Sequence, residues 1–204
     1  GLFAICCIGG TIGAGGLFQA NQAYQQAVVV TGGDASFLAD KGWLFGLFMA
    51  ALVGLVIIGG IQWIAAVAGR IVPIMTILYI IAGIVVMGVH YQAIPEAIEK
   101  IFEMALYPQA GIGALLGTLL MGVQSAVFSN EAGLGSSAIA HSAVKTDVPV
   151  SQGMVAMLGP FIDTVIICMV TALVIVISWA YVDGSGIEGV ELTSRAFASG
   201  ISWF

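Results

Sequence analysis

The chain has 204 residues, 60% of them hydrophobic and only 8% charged. A water-soluble domain carries about 25% charged residues, so this composition excludes a globule with a polar skin and describes an integral membrane protein. The formal net charge of −6 argues against a nucleic-acid partner, and long apolar runs without alternating segments favour helices over a β-barrel.

Residues 1–30 carry no charged side chain and are long enough to span a bilayer. Gly9 and Gly13, continued by Gly16 and Ala20, form a small-residue face that lets helices approach closely. The second half turns polar. Gln19, Gln22 and Gln26 share one helical face, and Asn21 and Gln25 share another. Gln22, Gln25 and Gln26 read as helix–helix hydrogen-bonding groups. Gln19 and Asn21 sit deeper and are candidates either for that role or for a solute site. The chain opens inside an apolar run and ends on Ser202-Trp203-Phe204, which we read as an internal piece of a longer polytopic protein. The remainder of that protein and the lipid bilayer are then its first partners.

A polar loop follows, and 43–60 is a fully apolar span with a packing stripe of Gly46, Ala50 and Gly54. Gly59-Gly60 ends it, and 62–70 is expected to be a short connection. The third span, 71–90, has Pro73 near its start, where helical amides lack partners anyway. His90 at its rim reads as an interfacial residue. Residues 94–106 are too short to cross. Ile94, Ala97, Ile98, Ile101, Phe102 and Ala105 follow helical spacing, while Glu96, Glu99, Lys100 and Glu103 take the other face. That pattern is a surface amphipathic helix, and 187–199 reads the same way.

The fourth span, 111–143, is interrupted. Between its apolar ends lies Phe128-Ser129-Asn130-Glu131-Ala132-Gly133-Leu134-Gly135-Ser136-Ser137. A charge at membrane depth is costly and normally faces a cavity or partner on an ion or substrate path. Gly133 and Gly135 weaken a helix and free backbone groups to face such a cavity. The fifth span, 153–182, is longer than a bilayer needs and must tilt or protrude. It carries one acid, Asp163, beside Thr164, with Pro160 loosening the turn before them. Thr164, Cys168 and Thr171 form a weakly polar stripe. The expectation is therefore an all-α polytopic membrane protein, one domain over 1–204, with five spans, one of them broken near 129–135.

The three cysteines, Cys6, Cys7 and Cys168, lie in apolar runs without metal-type spacing and read as buried free thiols. Arg70 and Lys145 fall on one side, and Lys41, Lys100 and Arg195 on the other, too even a division for the positive-inside rule to orient the chain.

A helix broken in lipid offers particular chemistry. A helix beginning near Gly135-Ser136 turns amides toward an anionic solute group. The unwound stretch offers carbonyls, and Ser129 and Asn130 offer side-chain oxygens, the ligands that alkali cations prefer. Asp163 adds a formal negative charge. A cation beside a solute carboxylate neutralises charges that neither could bury alone, which couples the two ligands thermodynamically. Glu131 reads as a group holding the broken ends open.

Phe128 to Ser136 resembles the signature of the sodium:alanine symporter family, the alanine or glycine:cation symporters. Phe18-Gln19-Ala20-Asn21 is similar too, as are Ile94-Pro95-Glu96-Ala97-Ile98 with Ile101-Phe102, and Gln152-Gly153 followed by Phe161-Ile162-Asp163-Thr164. Their order and spacing match along essentially the whole chain. The resemblance implies a LeuT-type inverted-repeat bundle, of which this chain would hold core helices three to seven, the broken one being the sixth. It implies a multi-pass protein of the cell membrane, with the loops around Lys41 and Lys100 external and that around Lys145 cytoplasmic. Residues from Ile187 onward would form an external lid. Gln19, Asn21, Phe128, Ser129, Asn130 and Gly133 would bind a small neutral amino acid, and Asn130, Asp163 and Thr164 would serve sodium. No cofactor and no enzymatic step are implied; sodium is the coupling ion. Ser125 and Ala138 depart from the arginine and proline common in the family.

Two rivals are an ion channel, with the broken helix as its constriction, and an intramembrane hydrolase using Ser129 or Ser136 with His141 and Asp163. The second suffers because His141 follows Ser136 so closely and no nucleophile elbow exists. Another cation-coupled amino-acid transporter is a nearer alternative.

Overall fold

The computed structural model describes residues 1–10, 12, 16–106, 112–130, 135–181 and 189–201. Among them there is no β-strand. The helices are α1 (Leu2–Gly10), α2 (Leu17–Val30), α3 (Gly42–Ile58), α4 (Gly60–Val89), α5 (Ile94–Leu106), α6 (Ile112–Asn130), α7 (Ser136–His141), α8 (Pro149–Phe161), α9 (Cys168–Ile177) and α10 (Val190–Ala198). A π-helical turn, Ile162–Ile167, joins α8 to α9. The chain divides into two compact units, Gly1–Met75 with Gly184–Arg195, and Thr76–Asp183 with Ala196–Phe204.

In the first unit, α2 and α3 are tied through Tyr24. Its hydroxyl lies 2.8 Å from the Leu38 carbonyl and 2.6 Å from that of Ala39, and its ring meets Phe45 at 5.7 Å. Gly42 lets the ring come close: a Cβ there would sit 3.3 Å from it. The glutamine face of α2 holds the start of α10. Gln22 Oε1 accepts from the Val190 amide at 3.0 Å, and Gln26 Nε2 donates to Ser194 at 3.1 Å. This is the helix–helix role expected of both side chains.

The expected break at Gly59-Gly60 is present, with Gly60 at φ +74°. The expected connection over 62–70 is absent, because α4 starts at once and runs for 30 residues. Pro73 is therefore inside a helix. It costs one backbone hydrogen bond there, and the surrounding apolar residues carry the helix on. At 1.5 Å per residue, α4 is about 45 Å long, more than the roughly 30 Å of a bilayer core, so it tilts or emerges. Within 1–30, expected as one span, α1 and α2 are described, and residues 11 and 13–15 between them lie outside the described residues.

Two stretches are long and apolar enough to cross a membrane, Gly60–Val89 and Pro149–Ile177; α3 is a shorter apolar helix. Their large side chains are widely exposed, Leu55 by 69% and Leu78 by 62%. In water this would be untenable; in lipid it is the ordinary state of a helix surface. Cys6 and Cys168 are free but exposed, not buried as expected, because the apolar surroundings that suggested burial are themselves outward-facing.

The second unit has a small core of Val86, Val174, Ala196, Phe197 and Ile201. Tyr79 packs on Phe197 at 5.1 Å and bonds Thr171 at 2.5 Å. Glycine makes the close approaches possible. A Cβ on Gly83 would collide with the Val170 side chain, and one on Gly200 would lie 3.0 Å from Val86 Cα. Amphipathic α5 forms as expected and buries Ala97. Lys100 does not simply face solvent: its Nζ sits 3.8 Å over the Trp179 ring. Trp179 has φ +56°, a left-handed conformation costing a bulky residue on the order of 1–2 kcal/mol. The ammonium over its face and the Tyr181 ring stacked at 6.2 Å offset that cost. Replacing Gly83 with Leu overfills the contact with Val170. It should destabilise the protein by about 1–3 kcal/mol, read as a lowered melting temperature in detergent.

Candidate solute and cation site

The polar cluster of the second unit is built from two local irregularities. Helix α6 is described as far as Asn130, and the next described residue, Gly135, has φ +82° before α7 begins. Glycine suits this left-handed position, which any other residue would resist. Gly135 thus turns the backbone out of a helical path immediately before α7, and residues 131–134, Glu131 and Gly133 among them, lie outside the described residues.

Opposite stands the π-turn. Pro160 has no N–H for the carbonyl four residues back, and the chain passes into a wider π-helical turn two residues later. Such turns recur at functional sites. Asp163 and Thr164 lie in it. Two successive residues at the end of α6 therefore meet two successive residues of the turn. The Ser129 hydroxyl donates to Asp163 Oδ2, and Asn130 Nδ2 donates to Thr164 Oγ1 at 2.9 Å. Asn130 Nδ2 also donates to the Ala126 carbonyl at 3.2 Å, fastening its amide to its own helix.

The arrangement is rich in oxygen. Among the described residues, both hydrogen bonds of Asn130 use its side-chain nitrogen. Asp163, half-buried, has one oxygen engaged by a neutral hydroxyl among the described residues. Ser129 Oγ and Thr164 Oγ1 complete a set of hard oxygen donors. A monovalent cation fits this chemistry. No group of three His, Cys, Asp or Glu side chains suited to a transition metal occurs among the described residues.

Of the other predicted site residues, Phe128 lies in the last turn of α6 and is 40% exposed. Gln19 and Asn21 are exposed on α2 and belong to the first unit. Sequence reasoning missed two features. The π-turn had only Pro160 as its signal. The hydrogen bond of Gln152 Nε2 to His141 Nδ1, at 2.5 Å, joins residues whose proximity no motif announces. An open pocket of about 430 Å³ is lined by Ser129, Asn130 and Asp163 together with residues of α7 and α8.

Outward-facing apolar helices with a polar cluster open to a pocket describe a helical membrane protein. The chain belongs to the sodium:alanine symporter family, whose sequence profile it matches over residues 1–204; this is a family of transporters, not enzymes. The sodium/alanine symporter AgcS of Methanococcus maripaludis is 43% identical over 159 residues, covering 76% of this chain and 34% of AgcS. An uncharacterized transporter of Haemophilus influenzae is 39% identical over 160 residues, 76% of this chain and 35% of that protein. The probable sodium/glutamine symporter GlnT of Bacillus subtilis is 37% identical over 160 residues, 78% of this chain and 33% of GlnT. The chain thus spans about a third of the length of these relatives.

The Asn130–Thr164 bond is testable by itself. A double-mutant cycle with Asn130→Ala and Thr164→Val, read by thermal unfolding in detergent, should give a coupling of about 0.6–1.7 kcal/mol, the range for interhelical hydrogen bonds in membranes.

Proposed function

We propose that the complete protein is a sodium-coupled symporter of small neutral amino acids such as alanine or glycine, multi-pass in the cell membrane. The observation that carries this reading is the paired contact of Ser129 with Asp163 and of Asn130 with Thr164 across a helix break. In this reading Asn130 Oδ1, Asp163 and Thr164 Oγ1 hold sodium. Phe128, Ser129, Asn130 and the backbone at Gly133 hold one side of the amino acid, and Gln19 and Asn21 of α2 contribute to the same substrate's recognition.

The coupling is electrostatic. A zwitterionic amino acid brings a carboxylate that would be costly to strip of water alone. Sodium at the cluster offsets that charge, while Asp163 offsets sodium's own. Each ligand therefore binds more tightly when the other is present. The half-helix arrangement with substrate at mid-membrane suits a LeuT-type bundle working by alternating access. Five spans, broken near 129–135, with 94–106 and 187–199 on the surface, would be this chain's share of it. Family membership and the name of AgcS support both the coupling ion and the substrate class.

The name of GlnT supports a second reading, glutamine as the solute, with the same sodium chemistry. Uptake of radiolabelled alanine, glycine and glutamine into proteoliposomes, with and without a sodium gradient, separates the two. Uptake is expected to require sodium, and sodium-independent uptake would remove the symport reading. Asn130→Ala should abolish uptake. Asp163→Asn should raise the sodium concentration for half-maximal uptake by about tenfold, the effect of losing roughly 1.4 kcal/mol of cation binding.

A further inference from the structure

The π-turn that carries Asp163 and Thr164 is held at both ends, all within the second unit. Its beginning is tied to α6 by the Ser129 and Asn130 contacts. At its end, the Cys168 amide bonds the Asp163 carbonyl five residues back. That register differs from the four-residue register of the α-helices on either side. The last residue of the turn, Ile167, accepts the Thr171 hydroxyl on its carbonyl at 2.8 Å. A threonine hydroxyl has one proton. With that proton given to Ile167, the 2.5 Å contact between Thr171 Oγ1 and the Tyr79 hydroxyl has Tyr79 as its donor. A directed chain thus runs from Tyr79 of α4 through Thr171 to the end of the turn, each bond polarising the next. Tyr79 is itself fixed by its ring, packed at 5.1 Å on the buried Phe197.

We propose that Tyr79 is a positioning residue for the cation site. Through Thr171 it fixes the far end of the π-turn, and so sets where Asp163 and Thr164 present their oxygens beside Ser129 and Asn130. The inference rests on the sodium reading given above, and Tyr79 does not touch the ion. Without the tyrosine hydroxyl, Thr171 loses its donor and holds Ile167 less firmly. The turn then relaxes toward the α register, which rotates Asp163 and Thr164 relative to α6. Oxygen spacing decides which cation fits a site. The loss therefore falls on sodium affinity and on the preference for sodium over the smaller lithium ion, and leaves turnover at saturating sodium intact.

The test uses the complete transporter in proteoliposomes, with radiolabelled alanine as the probe. Tyr79→Phe keeps the ring on Phe197 and removes only the hydroxyl. It should raise the sodium concentration for half-maximal uptake about three- to tenfold, the equivalent of one interhelical hydrogen bond in a membrane. Uptake at saturating sodium should stay within about twofold of wild type, the split expected when binding rather than turnover is weakened. The preference for sodium over lithium should narrow. Thr171→Val should do the same, and the double variant should add nothing further. Thr171→Ser, which keeps the hydroxyl, should behave as wild type. In detergent without sodium, Tyr79→Phe and Thr164→Val together should lower the melting temperature by less than the sum of their separate effects, although they remove different bonds. Strict additivity there, or wild-type sodium dependence in Tyr79→Phe with only a lowered melting temperature, would overturn the inference. If Asp163→Asn shifts the sodium dependence and Tyr79→Phe does not, the positioning role fails and the site stands. If neither shifts it, the cation reading fails as well.

Discussion

The structure depends on one electrostatic constraint: an acid, Asp163, stands on a helix apolar enough to cross a membrane. In lipid a lone carboxylate is costly, so it needs a partner or a water-filled cavity. Here it has the Ser129 hydroxyl and an open pocket. Both need Ser129 and Asn130 side by side on α6. They also need the π-turn to present Asp163 and Thr164 together. The break, the proline and the acid form one physical unit.

The surrounding packing follows a different rule. Lipid supplies no hydrophobic drive between helices, so close contact comes from small residues and interhelical hydrogen bonds. Gly83 against Val170, Gly200 against Val86, and Tyr79 with Thr171 are of this kind, and the buried core is accordingly small. Gln22 of α2 acts similarly, taking up an orphan amide at the start of α10 as a helix cap would, and Gln26 donates to Ser194.

Much of this was legible in the sequence, because strong signals were local. The charge deficit marked the membrane, 3.6-residue periodicity marked α5, and an acid, amides and glycines amid apolar runs marked the break. What escaped depended on competition between neighbours. Gly59-Gly60 signals a stop but not where the next helix starts; Gly60 itself takes the left-handed turn and α4 begins there. Pro73 looked like a starting residue, yet apolar surroundings hold a helix through a missing bond. Cysteine burial was misjudged because an apolar neighbourhood implies a dry interior only in water. At the site, Asp163 and Thr164 were visible as polar residues, but their pairing with Ser129 and Asn130 is tertiary and leaves no pattern in the chain.

The π-turn also fixes a phase. Its first residues carry one anchor, the contacts of Asp163 and Thr164 with α6, and the second anchor, the Thr171–Tyr79 bond, follows it in α9. Each residue advances an α-helix by about 100°, so removing a single residue to regularise the turn would swing one anchor roughly a quarter-circle away from its partner. The irregular turn thus acts as a vernier between the ion-facing and packing-facing ends of one rod.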